Sequence, residues 1–421
     1  MREMDGAGKR AGHSSVGAME NDRRGIRAAF PWASRHANPD TITGQAEDAA
    51  MKAMLAGLML MGLATGVAQA AEVKDCPLRD AAFSVDAPIV DLLLSARAKS
   101  ILEAQAPDIF SALPPRFFST QAPTFAAILT VRELAAMKGI APATVARIDA
   151  ALRPIAVTPA DKVARCARYD NDVPRFRLPK GKPAVLLFEK MTGFRDGPSV
   201  DAARGAFEAM AKRKGWAIVV TDRGGAMNPA TLRQFDAVIW NNVSGDVLTL
   251  AQRKAFRDYM EQGGGFIGVH GSAGDPATFW DWYVDGLIGA RFAGHPMNPQ
   301  FQDARIMVEG KNHAVAQGLP GEWVMNDEWY SFKTNPRSTG ATIIATLDEK
   351  SYKQAGFAGQ ALTMGDHPIA WTRCIGKGRM AYAAIGHRPE TYGDAHYVRM
   401  LENAVDWVGG RRKGKCQIAP R

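Results

Sequence analysis

Gly265-Phe266-Ile267-Gly268-Val269-His270-Gly271-Ser272 passes from an unbroken apolar run to polar residues within two positions. A strand with one wet face alternates apolar and polar residues, so a continuous run bounded by glycines predicts a strand buried on both faces. Upstream the pattern recurs. Ala184–Phe188 (AVLLF), Ala217–Thr221 (AIVVT) and residues 237–240 each predict a further strand. Residues 198–214 and 248–262 predict helices between them, and Asn228-Pro229 has the order of a helix start, cap residue then proline. Apolar strands alternating with helices predict an α/β domain over residues 182–410, a doubly wound, mostly parallel sheet with helices on both faces. Ligands in such sheets bind at the carboxyl ends of the strands.

Each predicted strand is followed by a polar segment there. Thr192, Gly193, Phe194, Arg195 and Asp196 follow the first, Asn241, Ser244 and Asp246 the third, and His270 the fourth. Their convergence on one cleft makes Thr192, Phe194, Arg195, Asp196, Asn241, Ser244 and Asp246 candidates to bind a polar substrate. Gly268-Val269-His270-Gly271-Ser272 has the small-residue spacing of a nucleophile elbow, a strand-to-helix turn that exposes one side chain. That side chain is an imidazole, so it serves proton transfer or metal ligation rather than nucleophilic attack. On spacing alone a satisfied structural histidine fits slightly better, and it is the sheet context that favours the functional reading.

Other histidines keep polar company: Gly294-His295-Pro296, Asn312-His313, Asp366-His367-Pro368 and Gly386-His387. Asp327-Glu328-Trp329-Tyr330 adds two carboxylates and two aromatic rings, a set suited to general acid–base work on a polar ligand stacked on a ring. Neighbours in an extended segment point to opposite faces, so only one carboxylate is expected in the cleft, and Glu328 is the choice. Asp327, Trp329, Tyr330, Asp366 and His367 stand as substrate-binding candidates, with one of the two rings expected in the core. A divalent ion, zinc or manganese, held by some of His270, His295, His387 and Glu328 is a second use of the same groups, although no helical H-E-x-x-H spacing marks it.

The whole chain is basic, with 52 Lys and Arg against 43 Asp and Glu in 421 residues, but the charge is dispersed without aromatic interleaving, which argues against nucleic acid. Met51-Lys52-Ala53-Met54, an apolar run to Val67 and Ala68-Gln69-Ala70-Ala71 have the parts of a secretory signal over residues 51–70, cleaved after Ala70. Met51 then reads as the true start and residues 1–50 as a mis-called or disordered extension. The run is too short to span a bilayer, so no stable membrane insertion is expected after cleavage. Helical spacing punctuated by prolines predicts a small helical domain over residues 71–153 with no catalytic cluster, then a linker at 154–181 and a tail at 411–421. Export places Cys76, Cys166, Cys374 and Cys416 in an oxidising, periplasmic setting. Cys76 with Cys166 closes the helical domain and Cys374 with Cys416 pins the tail, but the sequence does not choose among three pairings or exclude buried thiols.

Thr192-Gly193-Phe194-Arg195, Ser244-Gly245-Asp246-Val247-Leu248, Gly263 to His270, His295-Pro296, Asp327-Glu328-Trp329-Tyr330, Asp366 to Trp371 and Gly386-His387 together resemble the motif series of the ThuA-like, trehalose-utilisation family over roughly 230 residues. The resemblance implies a class I glutamine-amidotransferase-like (flavodoxin-like) fold, with His270 where the amidotransferases place their catalytic Cys. It also implies a role in disaccharide use, often beside dehydrogenases that make 3-keto-glycosides. The family usually shows His after Gly193-Phe194-Arg195, where this chain has Asp196.

Two functions follow as expectations. One is an enzyme that isomerises, cleaves or hydrolyses a keto-disaccharide or glycoside by proton transfer, with His270 and Glu328 as base and acid and His387 and His295 orienting. The other is a carbohydrate-binding module that kept the cleft without the chemistry. An amidotransferase or peptidase lacks its nucleophile, and no G-x-G-x-x-G follows the first strand to hold a dinucleotide. The expected partner is a small carbohydrate, and self-association into a homo-oligomer is compatible with the composition.

Overall fold

The computed structural model describes residues 73–110, 113–273, 279–410 and Cys416. The signal at 51–70, the extension at 1–50 and the rest of the tail lie outside the described residues. The first elements are helices: α1 (Ile89–Leu93), α2 (Ala96–Gln105), α3 (Pro107–Phe110), α4 (Val131–Met137), α5 (Pro142–Leu152) and α6 (Pro159–Cys166). Phe83, Ile89, Leu102, Val131, Ile148 and Leu152 are buried together as their core. Helix α4 begins on a reciprocal cap in which Thr130 Oγ1 accepts from Glu133 N and Glu133 returns the bond to Thr130 N.

Helix α6 lies inside the stretch read as a linker. The prolines that suggested a linker include one at its first helical position, where the missing N–H costs nothing, and Thr158 caps it through Asp161. Cys166 at its end is disulfide-bonded to Cys76. The second disulfide joins Cys374 to Cys416. Each closes a loop whose freedom would otherwise favour the unfolded chain.

From Ala184 the chain becomes a nine-stranded sheet. Its strands are β1 (Ala184–Phe188), β2 (Ala217–Thr221), β3 (Ala237–Asn241), β4 (Gly265–Val269), β6 (Phe301–Val308), β7 (Glu322–Glu328), β9 (Thr342–Asp348), β10 (Pro368–Ile375) and β11 (Gly378–Ala383), in the order β2-β1-β3-β4-β11-β10-β9-β6-β7. Two short strands, β5 (Phe292–Gly294) and β8 (Ser331–Phe332), pair apart from it. Strands β2, β1, β3, β4 and β11 run parallel, and the remaining four extend the sheet antiparallel. Every residue of β1, β3 and β4 is buried, which is why they read as unbroken apolar runs. Strands β6 and β7 alternate buried and exposed residues, as half-wet antiparallel strands do.

Helices α7 (Gly197–Lys214), α8 (Pro229–Leu232), α9 (Leu250–Glu261) and α10 (Ala395–Val408) cover the parallel part. The connection from β1 to β2 moves along the sheet opposite to those from β2 to β3 and β3 to β4. Right-handed crossovers therefore put α7 on one face and α8 and α9 on the other. Helix α10 touches α7, and α8 touches α9, as that arrangement requires. Asn228 caps α8 as its sequence implied, accepting from Ala230 N and Thr231 N. No helix among the described residues is long and apolar enough to cross a membrane.

The chain between α6 and β1 is tied down by Asp170, which accepts from Lys190 Nζ, from Gly224 N at 3.1 Å and from Gly225 N at 3.3 Å. Burial pushes this carboxyl up, but the Lys190 hydrogen bond and charge and the two backbone donors outweigh it and hold it below the usual carboxylate range. A carboxylate depressed in the fold adds stability that is present above its unfolded pKa and lost as pH falls through its lower folded value. Urea unfolding at a series of pH values below about 4 is therefore expected to lose stability less steeply in Asp170→Asn than in the parent.

Candidate functional site

His270 ends β4 on a sharp turn. Its φ of 38° is rare for a residue with a Cβ and costs roughly 1–2 kcal/mol. The surroundings impose it: the His270 carbonyl accepts from Tyr382 Oη at 2.7 Å, Gly271 N donates to Asn242 Oδ1 at 3.3 Å, and Ser272 Oγ donates to Trp240 O at 2.8 Å. An elbow was expected to expose this side chain. Instead His270 is only 3% exposed, its ring packed 4.1 Å from that of Tyr330.

The antiparallel extension brings Glu328, the last residue of β7, back to the carboxyl ends of β4 and β11. Its Oε2 lies 3.2 Å from His270 Nε2 and 2.9 Å from His387 Nδ1, and its Oε1 lies 3.1 Å from His295 Nδ1. Gln300 Nε2 donates to Oε1 at 2.5 Å. His270 Nε2 and His387 Nδ1 are themselves 3.3 Å apart. The four residues named for chemistry thus meet around one carboxylate. Burial pushes the Glu328 carboxyl up, but hydrogen bonds from His270 and His387 and the charges of His270 and His295 outweigh it and hold it far below the usual carboxylate range. Burial likewise opposes charge on His387, yet the Glu328 hydrogen bond and the charges of Glu328, Asp327 and Asp196 raise its pKa above the ordinary imidazole value.

Asp327 is fully buried and points away from the cluster, as alternation along a strand requires. Its oxygens accept from Gly386 N at 2.8 Å, His387 N at 3.1 Å, Arg388 N at 3.2 Å and Thr391 Oγ1 at 2.9 Å. It was expected to bind substrate; the structure commits it to holding the loop that carries His387. Burial raises its pKa, partly offset by the charge of His270 and by the backbone donors.

Several other substrate-binding candidates are likewise committed internally. Asn241 Nδ2 donates to Glu189 Oε1 and Val200 O, Asp246 pairs with Arg253 at 2.7 Å, and Thr192 Oγ1 donates to Asp246 O. Ser244 is buried, its carbonyl accepting from Thr192 N and Gly193 N. Trp329 is in the core with Nε1 donating to Gln302 O, the role expected for one of the two rings. His367 Nε2 bonds Tyr330 O, and Asp366 pairs with Arg337 away from the cluster. Arg195 reaches Asp201 at 3.8 Å. Three candidates do border the cluster: Asp196 Oδ2 lies 3.7 Å from His387 Nε2, the Phe194 ring lies 6.2 Å from that of His387, and the Tyr330 ring packs on those of His270 and His295.

The sequence reading missed Gln300, Phe301 and Phe125. The Phe301 ring stands 5.2 Å from His387, and Phe125, from the helical part, stands 5.1 Å from Phe194. The proximity of Gln300-Phe301 to His295-Pro296 in sequence was a usable signal; nothing in the sequence pointed to Phe125. Thr124 N donates to Thr192 O at 3.0 Å, so the helical part reaches the rim of the site.

The Thr192-Gly193 loop and the Ser244-Gly245 loop approach so closely that a Cβ on Gly245 would sit within 3.0 Å of Thr192 Oγ1 and Gly193 N, and Gly245 has φ 78°. Gly245→Ala is therefore expected to cost about 2–4 kcal/mol in urea unfolding, from overpacking and left-handed strain together.

The sheet is mixed and mostly parallel, and an imidazole–carboxylate cluster sits at the carboxyl ends of its strands. Residues 184–408 match the family model described as ThuA, trehalose utilisation, and the chain belongs to that family. Among solved structures it is similar to a ThuA-like protein from Bacteroides uniformis, with 27% identity over 56% of this chain and 95% of that one and a TM-score of 0.47. A ThuA-like protein from Parabacteroides merdae is similar at 14% identity over 54% of this chain and 90% of that one, with a TM-score of 0.40. No curated protein matches.

Proposed function

We propose that the chain processes a carbohydrate carrying a keto group, a keto-disaccharide or other keto-glycoside, by proton transfer at the His270–Glu328–His387 cluster, in an oxidising compartment such as the periplasm. The observation that carries it is the Glu328 carboxylate, 1% exposed, receiving three imidazoles at the end of the sheet where ligands bind. Two disulfides support the compartment, since such bonds persist outside the reducing cytosol.

A keto group acidifies the neighbouring C–H. A base that removes that proton leaves an enediolate, which isomerises on reprotonation or expels the adjacent glycosidic oxygen, which then takes up a proton. His270 and Glu328, expected as base and acid, lie too deep to meet a sugar. They suit stabilisation of the oxyanion through His387, which stands at the front of the cluster with Nδ1 on Glu328 Oε2. The groups on the open side are Asp196 and His295, with side chains 27% and 25% exposed. They are assigned the proton. Phe194 and Phe301 flank His387 as faces for a sugar ring.

A module that only binds sugar needs no imidazole–carboxylate pairs at 2.9 and 3.2 Å, and their presence favours the enzyme. The test is turnover of a 3-keto-disaccharide beside its unoxidised parent, with the intact chain and with His387→Ala. Consumption of the keto-sugar alone, lost in the variant, supports the reading. Saturable binding without consumption replaces it with the binding module.

A further inference from the structure

We infer that His270 Nε2, His387 Nδ1 and Glu328 Oε2 form one face of a divalent-cation site, for zinc or manganese, whose open positions take the vicinal oxygens of the sugar. The inference deepens the proposed function and shares its side chains, but it rests on geometry that stands without any sugar. The three donor atoms are separated by 3.3, 3.2 and 2.9 Å. A tetrahedral ion with bonds of about 2.0–2.1 Å sets its donors about 3.3–3.4 Å apart, and an octahedral one with bonds of about 2.1–2.2 Å sets them about 3.0–3.1 Å apart. The observed triangle matches the face of such a polyhedron. Two imidazoles and one carboxylate are also a donor set that divalent transition ions accept while leaving positions open for a ligand.

The atoms behind the donors point the same way. His270 Nδ1 lies 2.7 Å from Ala384 O, a pure acceptor, so Nδ1 carries a proton, and an ion entering the cluster takes the place of any proton between Nε2 and Glu328. His387 turns Nδ1 into the cluster while its Nε2 faces Asp196 Oδ2 at 3.7 Å. His270 thus has the hydrogen-bonded carbonyl at its outer nitrogen that metal-bound imidazoles characteristically have, and His387 has a carboxylate facing its outer nitrogen beyond hydrogen-bond distance. Asp327 fixes the backbone of residues 386–388 and therefore the position of the His387 ring. The second oxygen of Glu328 is held by Gln300 and His295, which leaves Oε2 to the ion. Asp196, whose Oδ2 accepts from Ser199 Oγ, then faces the ligand ring by charge rather than by a hydrogen bond while its exposed edge borders the substrate. A cation here does the polarising that the proposed function asks of the cluster, and leaves the proton to Asp196 and His295.

The intact chain, stripped with a chelator, is titrated calorimetrically with zinc and with manganese ions. One ion per chain is expected, bound at least 100-fold more weakly by His270→Gln, His387→Gln and Glu328→Gln, about 10–100-fold more weakly by Asp196→Ala, and equally well by His396→Ala as a control. X-ray absorption at the edge of the bound metal in the unsubstituted chain should show two imidazole nitrogens and a carboxylate oxygen, which settles the ligands even if a variant fails to fold. Absence of uptake, or uptake indifferent to the three ligand variants, overturns the inference. An ion held by these side chains in a chain that consumes no keto-sugar leaves the metal site standing and removes the sugar reading. Keto-sugar turnover undiminished in a chain that takes up neither ion does the reverse.

Discussion

Glu328→Ala is expected to lower folding stability by about 3 kcal/mol in urea, measured with chelator present so that no ion contributes, and to abolish keto-sugar turnover. Among the described residues the carboxylate is the anion shared by His270, His387 and His295, and removing one partner of a buried pair leaves the others unsatisfied. The penalty falls at the low end of the usual range because an imidazole, unlike a guanidinium, exists in a neutral form. Glu328→Gln keeps the shape and an acceptor oxygen, so its stability cost is about 1–2 kcal/mol while turnover is still lost. Equal stability of Glu328→Ala and the parent would mean that the carboxylate is not the anchor of the cluster. Loss of turnover in the glutamine variant with stability nearly intact separates its chemical role from its structural one.

The fold was legible where burial writes directly into composition. AVLLF in β1 and GFIGV in β4 read as strands because both faces of each are covered, and Asn228-Pro229 read as a helix start because its cap is local. The antiparallel extension was not read. Its alternation in β6 and β7 is weaker than an unbroken run, and one of its strands, β10, carries the Asp366-His367-Pro368 boundary that drew attention as a motif instead.

For the site, the residue types told which groups carry chemistry but not which of them reach solvent. His270, His295, Glu328 and His387 do meet. Asn241 and Asp246 look identical to them by position, yet their partners are Glu189 and Arg253, and which partner wins is decided by packing between separate elements. The same limit hid Phe125, whose approach to Phe194 depends on how the helical part docks against the loop after β1.

Asp327→Ala carries the second large effect. The aspartate touches no ligand in the proposed mechanism, but four backbone N–H groups, those of Glu328, Gly386, His387 and Arg388, and one hydroxyl converge on its two oxygens. Alanine leaves those donors without a partner in a buried loop, at about 1–3 kcal/mol for each one that water cannot reach, so a loss of about 3–5 kcal/mol is expected in urea unfolding. Thr391→Ala, which removes only the hydroxyl and leaves the backbone donors satisfied, should cost about 1 kcal/mol and leave turnover near the parent's. If Asp327 acts by positioning His387, its alanine variant loses most of its kcat at temperatures where circular dichroism shows it folded, with KM changed much less. The reason is that the His387 backbone N–H is one of the groups released, and a shift of about 1 Å in a reacting group suffices for a loss of about 100-fold. Equal fractional loss of stability and activity in the two variants would reduce Asp327 to a scaffold residue.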